Sequence, residues 1–339
     1  MPSMSGERSA AEPIKRQLYT WQNSLRLLVA ATVLALLVGI VDWSEFSSYA
    51  ATARPELLLL AAILMFVEFL MTAVRWKVLL EAVGVHVSFM QSLRSYLKGH
   101  IVGYFVPASV AADVVKAVDI NMARRENSAS QGVEVVSSIF IERLFSVVTV
   151  AVAVLLGLAF SPLTEESKQT EALLTLAAAM MLCCCLAALY ADKFLALIPA
   201  HWLRRLPRVH ALADRARNSM VAYRQRPRML AAMLLFSFAI QAIRIVPVYM
   251  LAVAIGAGGA LYAYLIAVPV IFMVNTIPVI GSRLGTEQGW FVLFLGLAGV
   301  APEAALVVAL LKLVLGVTVA LPGAYWLIEG RRRQFVSTS

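Results

Sequence analysis

The chain has 339 residues, 61% of them hydrophobic and only 14% charged, with a mean hydropathy of +0.81. Soluble domains run nearer ~45–50% apolar and ~25% charged. This much apolar surface needs the bilayer as its solvent, which excludes collagen-like, disordered, disulfide-scaffold and nucleic-acid-binding classes. The net charge of +9 then reports membrane orientation rather than an affinity for nucleic acid.

Residues 1–24 read as a polar tail carrying Lys15 and Arg16. Leu25–Val41 is the first predicted span, too long for a signal-peptide core and without a clear cleavage site, hence a retained helix. Asp42-Trp43-Ser44-Glu45 closes it at the interface. Leu57–Trp76 is the second span, ending in the anchor-like Arg75-Trp76-Lys77. Phe89–Ile120 is of intermediate polarity and contains Pro107. Gly132–Phe160 and Ala172–Tyr190 are the third and fourth spans, the latter holding Cys183-Cys184-Cys185, whose adjacency suits neither a metal nor a disulfide framework. Asp192–Arg228 is strongly basic. Met229–Ile255 is the fifth span, Tyr262–Val300 a second broken stretch, Ala304–Ile328 the last span, and residues 329–339 a tail.

The basic segment 192–228 predicts a cytoplasmic face, and the acidic loop Ser161–Glu171 the opposite one. Both termini are then expected inside, with an even number of crossings. Phe89–Ile120 has basic flanks and is expected to enter from the cytoplasm and return; Tyr262–Val300 is expected to do so from outside. Each is too short and too Gly/Pro-interrupted for two ordinary spans. The expected fold is an all-α polytopic membrane protein: about six transmembrane helices plus two opposed re-entrant hairpins, in one integral membrane domain over residues 25–328.

An internal repeat links these parts. Phe69-x-x-x-Ala73-x-Arg75 recurs as Phe238-x-x-x-Ala242-x-Arg244; Gly84 matches Gly256; Pro107 with Lys116 matches Pro278 with Glu287. The units, about 57–160 and 229–328, have opposite predicted orientations. Inverted repeats whose broken helices meet near the midplane are a transporter architecture, although duplication alone can leave such symmetry behind.

Charges at membrane depth cost several kcal/mol unless they snorkel or pair. Glu142-Arg143 and Arg244 therefore read as functional or buried-pair residues. Arg75 and Lys77 read equally well as interfacial anchors, and Glu68 and Lys312 also lie within spans. In the hairpins, Asp113 with Lys116, and Arg283 with Glu287, share helix faces. The breaks at Pro107 and at Asn275-Thr-Ile-Pro278 free backbone amides for an anion. The residues expected to bind or translocate substrate are Arg75, Pro107, Asp113, Lys116, Glu142, Arg143, Arg244, Asn275, Pro278, Arg283 and Glu287. Of four histidines, His86, His201 and His210 read as loop residues, and His100 lies in the first hairpin.

Pro107-Ala-Ser-Val-Ala-Ala-Asp113-Val-Val-Lys116, Pro278-Val-Ile-Gly281-Ser-Arg283-Leu-Gly285-Thr-Glu287 and the Glu142-Arg143 pair together resemble the membrane region of lysylphosphatidylglycerol synthases and their stand-alone, flippase-like relatives. The resemblance covers about Leu25–Ile328. The motifs depart from the family pattern: Ala111 and Ala112 replace paired glycines, Lys116 an arginine, Arg283 a small residue, and Thr286 stands where arginine is common. The chain stops at Ser339, so the resemblance implies a member without the aminoacyl-transferase domain.

No nucleotide loop, metal motif or nucleophile elbow is present, so no cofactor and no catalytic residues are expected. The expected function is flippase-like translocation of an anionic phospholipid, glycolipid or polyprenyl-phosphate carrier across the bacterial inner membrane, with both termini cytoplasmic. The alternatives are a membrane enzyme or subunit for lipid head-group modification, partnered by a glycosyl- or aminoacyl-transferase, and a non-transporting scaffold.

Overall fold

A computed structural model describes residues 39, 42–105, 111–123, 132–161, 168–190, 207–275, 283–296 and 299–336, and among these the regular structure is helical throughout, with no strand. In chain order the helices are α1 Trp43–Ala51, α2 Pro55–Ala82, α3 Phe89–Phe105, α4 Ala111–Ala123, α5 Gly132–Ala159, α6 Lys168–Leu189, α7 Pro207–Arg224, α8 Pro227–Ala254, α9 Leu261–Val274, α10 Arg283–Gly296 and α11 Pro302–Val336. The predicted N-terminal tail and, apart from Gly39, the first span Leu25–Val41 lie outside the described residues.

Four helices are long and apolar enough to cross a membrane: α2, α5, α8, and Pro302–Glu329 of α11, 28 residues each. At 1.5 Å per residue each reaches about 42 Å, more than the ~30 Å hydrocarbon core. The chain is a multi-pass membrane protein. Each Pro-interrupted stretch forms two short helices, α3–α4 and α9–α10, of 17, 13, 14 and 14 residues. α4, α9 and α10 are shorter than the ~17 residues that a spanning helix needs and α3 is only just that long, and within each pair the two pack on one another. In the first pair the close approach comes from α3: a Cβ at Gly99 would meet Ala112 O at 2.5 Å and one at Gly103 would meet Ala112 Cβ at 3.5 Å. Only the Gly99 contact is too close for a side chain, and the small residue that it meets, Ala112, is on the second helix.

Two helices lie where loops are expected. α1 follows Asp42, whose Oδ1 accepts from Ser44 N at 2.8 Å and Glu45 N at 3.4 Å, an N-cap that starts a helix. α7 occupies the basic segment and contains His210. Its Tyr223 hydroxyl, pushed up in pKa by burial, donates to Leu79 O at 2.8 Å and pins α7 to α2. The expected C-terminal tail is also helical as far as Val336.

The element pattern recurs. α2 and α8 begin at Pro55 and Pro227, α3 and α9 at Phe89 and Leu261, and α4 and α10 at Ala111 and Arg283, each pair 172 positions apart. Gly132 and Pro302 begin α5 and α11, 170 apart. α2 and α8 even end alike. Gly84 (φ +80°) donates to Glu81 O and Val85 to Leu80 O; Gly256 (φ +73°) donates to Val253 O and Ala257 to Ala252 O. Both are Schellman caps, whose left-handed residue favours glycine.

Packing between the halves is exchanged. α3 lies on α11, and α9 lies on α5. Both contacts are close enough to require glycine: a Cβ at Gly323 would strike Leu97 O, and one at Gly157 would sit 2.5 Å from Ile266 Cγ1 and 3.1 Å from Tyr262 O. α2 and α8 pack along one another between these crossed elements.

Candidate functional site

Polar residues recur at the same position in three of the spans. Glu142 of α5, Ser237 of α8 and Lys312 of α11 are each the eleventh residue of their helix, about 15 Å from its start and so near the middle of a bilayer-spanning segment. An unpaired ion at that depth costs several kcal/mol, which dictates the pairings observed.

Glu142 is the hub of the first network. Its Oε1 accepts from Arg75 Nη2 at 3.1 Å, and its Oε2 from Lys116 Nζ at 2.8 Å. Lys116 lies 3.4 Å from Asp113, and Asp113 Oδ2 accepts from Arg143 Nη2 at 2.6 Å. Arg75, Lys116 and Glu142 are buried. The Lys116 ammonium also lies over two aromatic faces, Trp76 at 4.8 Å and Tyr96 at 5.3 Å, a cation–π seat for a charge withdrawn from water.

The second network joins the halves. Arg244 Nε and Nη2 both donate to Glu68 Oε1, at 2.9 and 2.7 Å. On the neighbouring turns Arg75 Nη1 donates to Ser237 Oγ at 2.9 Å. Arg75 and Arg244 are 169 positions apart, and so are Glu68 and Ser237. The arginine of α2 thus grips α8, and its counterpart on α8 grips α2 at the equivalent position. Such exchange is the signature of a two-fold contact.

The third network pairs Glu287 of α10 with Lys312 of α11. Lys312 Nζ lies 4.5 Å from the centroid of Phe272, and the Arg244 guanidinium 4.8 Å from the same ring. Glu142 and Glu68 are also within electrostatic reach of Tyr96, as are Lys116 and Arg244. The three networks therefore form one continuous polar seam.

Arg75, Asp113, Lys116, Glu142, Arg143, Arg244 and Glu287 all lie on this seam. Asn275 follows α9 one turn beyond Phe272. Pro107 and Pro278 lie outside the described residues; Arg283 opens α10, but its side chain lies outside them. Asp113 and Lys116, which share a helix face, lie together as their spacing implied; other partners come from distant helices. Arg244 takes Glu68, Arg75 is a buried network member rather than an interfacial anchor, and Lys312 meets Glu287. Glu68, Ser237, Lys312 and the aromatic seats Trp76, Tyr96 and Phe272 are additional members. The legible signal for Glu68 and Lys312 was a charge in an apolar run; the aromatics gave none, because such residues are ordinary in spans. His100 stays beside the seam, ring against ring with Phe69 at 4.5 Å.

No group of three or more His, Cys, Asp or Glu able to hold a metal occurs among the described residues. The seam can bind, exchange partners and carry charge; its described side chains offer no nucleophile set against a base. The family model described as the lysylphosphatidylglycerol synthase TM region matches residues 23–323. The chain belongs to this family. No curated protein matches the chain. The lysylphosphatidylglycerol synthase TM region is a membrane domain linked to lipid-related functions, and here the match contains the whole polar seam, from Glu68 to Lys312.

Proposed function

We propose that the protein translocates a lipid with an anionic head group, a phospholipid, glycolipid or polyprenyl-phosphate carrier, across the bacterial inner membrane. The observation that carries this reading is the reciprocal grip of Arg75 on Ser237 and Arg244 on Glu68 at mid-helix depth. A duplicated contact around a pseudo-two-fold axis, with α3–α4 and α9–α10 as opposed re-entrant hairpins, offers equivalent gates to the two leaflets. Buried ion pairs supply what a head group needs on the way: each pair can open to an anion and close behind it, so no charge is left bare. Arg75, Lys116, Arg244 and Lys312 supply countercharge, while Asp113, Glu68, Glu142 and Glu287 hold it between passages. On this reading both termini are cytoplasmic and the helices make six crossings.

The test uses the full chain in liposomes containing a trace of fluorescent phosphatidylglycerol, with dithionite quenching the outer leaflet. Quenching beyond the outer-leaflet fraction in wild type, and its loss in Arg244→Gln, supports translocation. Quenching that stops at the outer leaflet for phosphatidylglycerol, a glycolipid and a polyprenyl phosphate alike sinks it.

The family's description favours a second reading, that the chain is the membrane partner of a lipid head-group transferase. A soluble glycosyl- or aminoacyl-transferase co-purifying with the tagged protein, together with head-group modification that depends on both, would distinguish that role.

A further inference from the structure

Buried side-chain atoms without a hydrogen-bond partner are few, and their chemistry is one-sided. Among the described residues they are Arg75 Nε, Glu134 Oε2, Gln241 Nε2, Asn275 Nδ2 and Trp290 Nε1. The last three belong to α8, α9 and α10 of the second half, and all three are N–H donors. Gln241 is only 3% exposed, and its Oε1 is already directed at Arg244 Nη1, 3.5 Å away, which leaves its NH2 group in need of an acceptor. Burying such a donor unpaired is costly.

Each of these donors stands one helical turn from a member of the cluster formed by Arg244, Phe272, Lys312 and Glu287. Arg244 and Lys312 both lie over Phe272. Helical spacing puts Asn275 on the Phe272 face of α9 and Trp290 on the Glu287 face of α10, and Glu287 is the partner of Lys312. Gln241 lies three residues before Arg244 on α8. The first half holds one such donor, Arg75 Nε, against three in the second, and its Asp113 and Glu142 engage Arg75, Lys116 and Arg143. The second half has fewer acids at hand and draws Glu68 from α2 to hold Arg244.

From this asymmetry we infer that Gln241, Arg244, Asn275, Trp290 and Lys312, arranged about Phe272, form a subsite for a phosphate group. A phosphate presents several acceptor oxygens and negative charge, enough to meet amide and indole donors and to take the place of Glu68 or Glu287 beside the cations; an amine offers the donors no acceptor, and a neutral sugar has acceptors but no charge to replace a carboxylate. The inference rests on the lipid-handling reading above and assigns the head-group phosphate to the second half of the molecule, not to the hub at Glu142.

The experiment measures binding by calorimetry to the full-length protein in detergent, with dihexanoylphosphatidylglycerol, dihexanoylglycerol and inorganic phosphate as probes. Trp290→Phe keeps the ring and removes one donor, and Gln241→Glu is isosteric and replaces a donor with a negative charge. Each is expected to weaken dihexanoylphosphatidylglycerol about tenfold or more, the size of one charged hydrogen bond, and to leave dihexanoylglycerol unaffected. Inorganic phosphate that competes, and weakens in the same variants, supports the site with a free ion as its source; a lack of competition assigns the lipid head group. Wild-type affinity in both variants, or a loss confined to Lys116→Ala, overturns the subsite even if the wild-type protein translocates lipid. Failure of translocation with binding and its losses intact would overturn only the transport reading.

Discussion

The cross-half ion pair makes a quantitative demand. Arg244 directs Nε and Nη2 onto a single carboxylate oxygen of Glu68, and both side chains are largely buried. Replacing Arg244 with Met keeps the length of the side chain but leaves Glu68 ionised among apolar helices. Removing one partner of a buried pair costs about 3–5 kcal/mol, whereas replacing both with apolar residues of similar volume is often neutral or stabilising. Glu68→Met should therefore cost about as much as Arg244→Met, and the double variant should return to within about 1 kcal/mol of wild type. The equivalent contact on the other side of the axis is Arg75 to Ser237 at 2.9 Å. There Ser237→Ala removes one hydrogen bond to a charged group, about 1.5–3 kcal/mol, and Arg75 keeps Glu142. Chemical denaturation in detergent micelles, followed by tryptophan fluorescence, reads all four variants on one scale. Costs that add in the double variant to within about 0.5 kcal/mol would mean the two residues are uncoupled, and the reciprocal grip would lose its energetic content.

Other consequences are as direct. Glu142→Leu leaves two buried cations under-compensated, Arg75 with only Ser237 Oγ and Lys116 with only Asp113 at 3.4 Å, so it should cost at least as much as Arg244→Met, read as loss of monodisperse protein on size exclusion; adding Lys116→Met should restore part of it, since one under-compensated cation is then gone. Gly84→Ala and Gly256→Ala should each cost about 1–2 kcal/mol from backbone strain alone, because both sit at positive φ with nothing within 4 Å of an added Cβ; Gly296→Ala, also in open space but at ordinary φ, should cost nothing in the same melt. Asp42 has its pKa held below the ordinary 3.8, first by the Ser44 hydroxyl and then by the Ser44 and Glu45 amides. A depressed carboxylate contributes stability above 3.8 and loses it as pH falls through its lower folded value, so amide protection at the start of α1, taken relative to the intrinsic exchange rate at each pH, should begin to fall below 3.8 and should be low at every pH in Asp42→Ala.

The long spans were legible because length and hydropathy suffice for them: α2, α5, α8 and the apolar part of α11 coincide with predicted spans to within a few residues at their starts. The repeat was legible from Arg75 and Arg244, Gly84 and Gly256, since a cap glycine and a charge inside a span are rare enough to align. Partner choice was not legible. Sequence spacing relates residues on one helix, as with Asp113 and Lys116, but Glu68 and Arg244 are 176 residues apart and meet only because α2 and α8 pack together. α1 escaped notice because Asp42-Trp43-Ser44-Glu45 suits the end of one element as well as the cap of the next. After Pro107 the family's paired glycines are Ala111 and Ala112 here, and the contact that demands glycine is made from the opposite helix, by Gly99 against Ala112 O.

The two halves match in position but differ in sign. Glu142 and Lys312 occupy the same place on α5 and α11, and each faces a hairpin residue of opposite charge, Lys116 on α4 and Glu287 on α10. A faithful duplication would have put two acids on the spans and two cations on the hairpins. Reversing one pair keeps both halves neutral at that contact but changes what an entering anion displaces. At the first hairpin it would take a cation carried by the hairpin and release an acid fixed on a long span. At the second it would take a cation fixed on a long span, Lys312, and release an acid carried by the hairpin. On the translocation reading, a head group held at Lys312 would stay with the long span α11 while Glu287 of α10 lost its partner. On the same reading, the group that binds and the element that is released then lie on different sides of one ion pair, in the half that carries three of the four unpartnered donors.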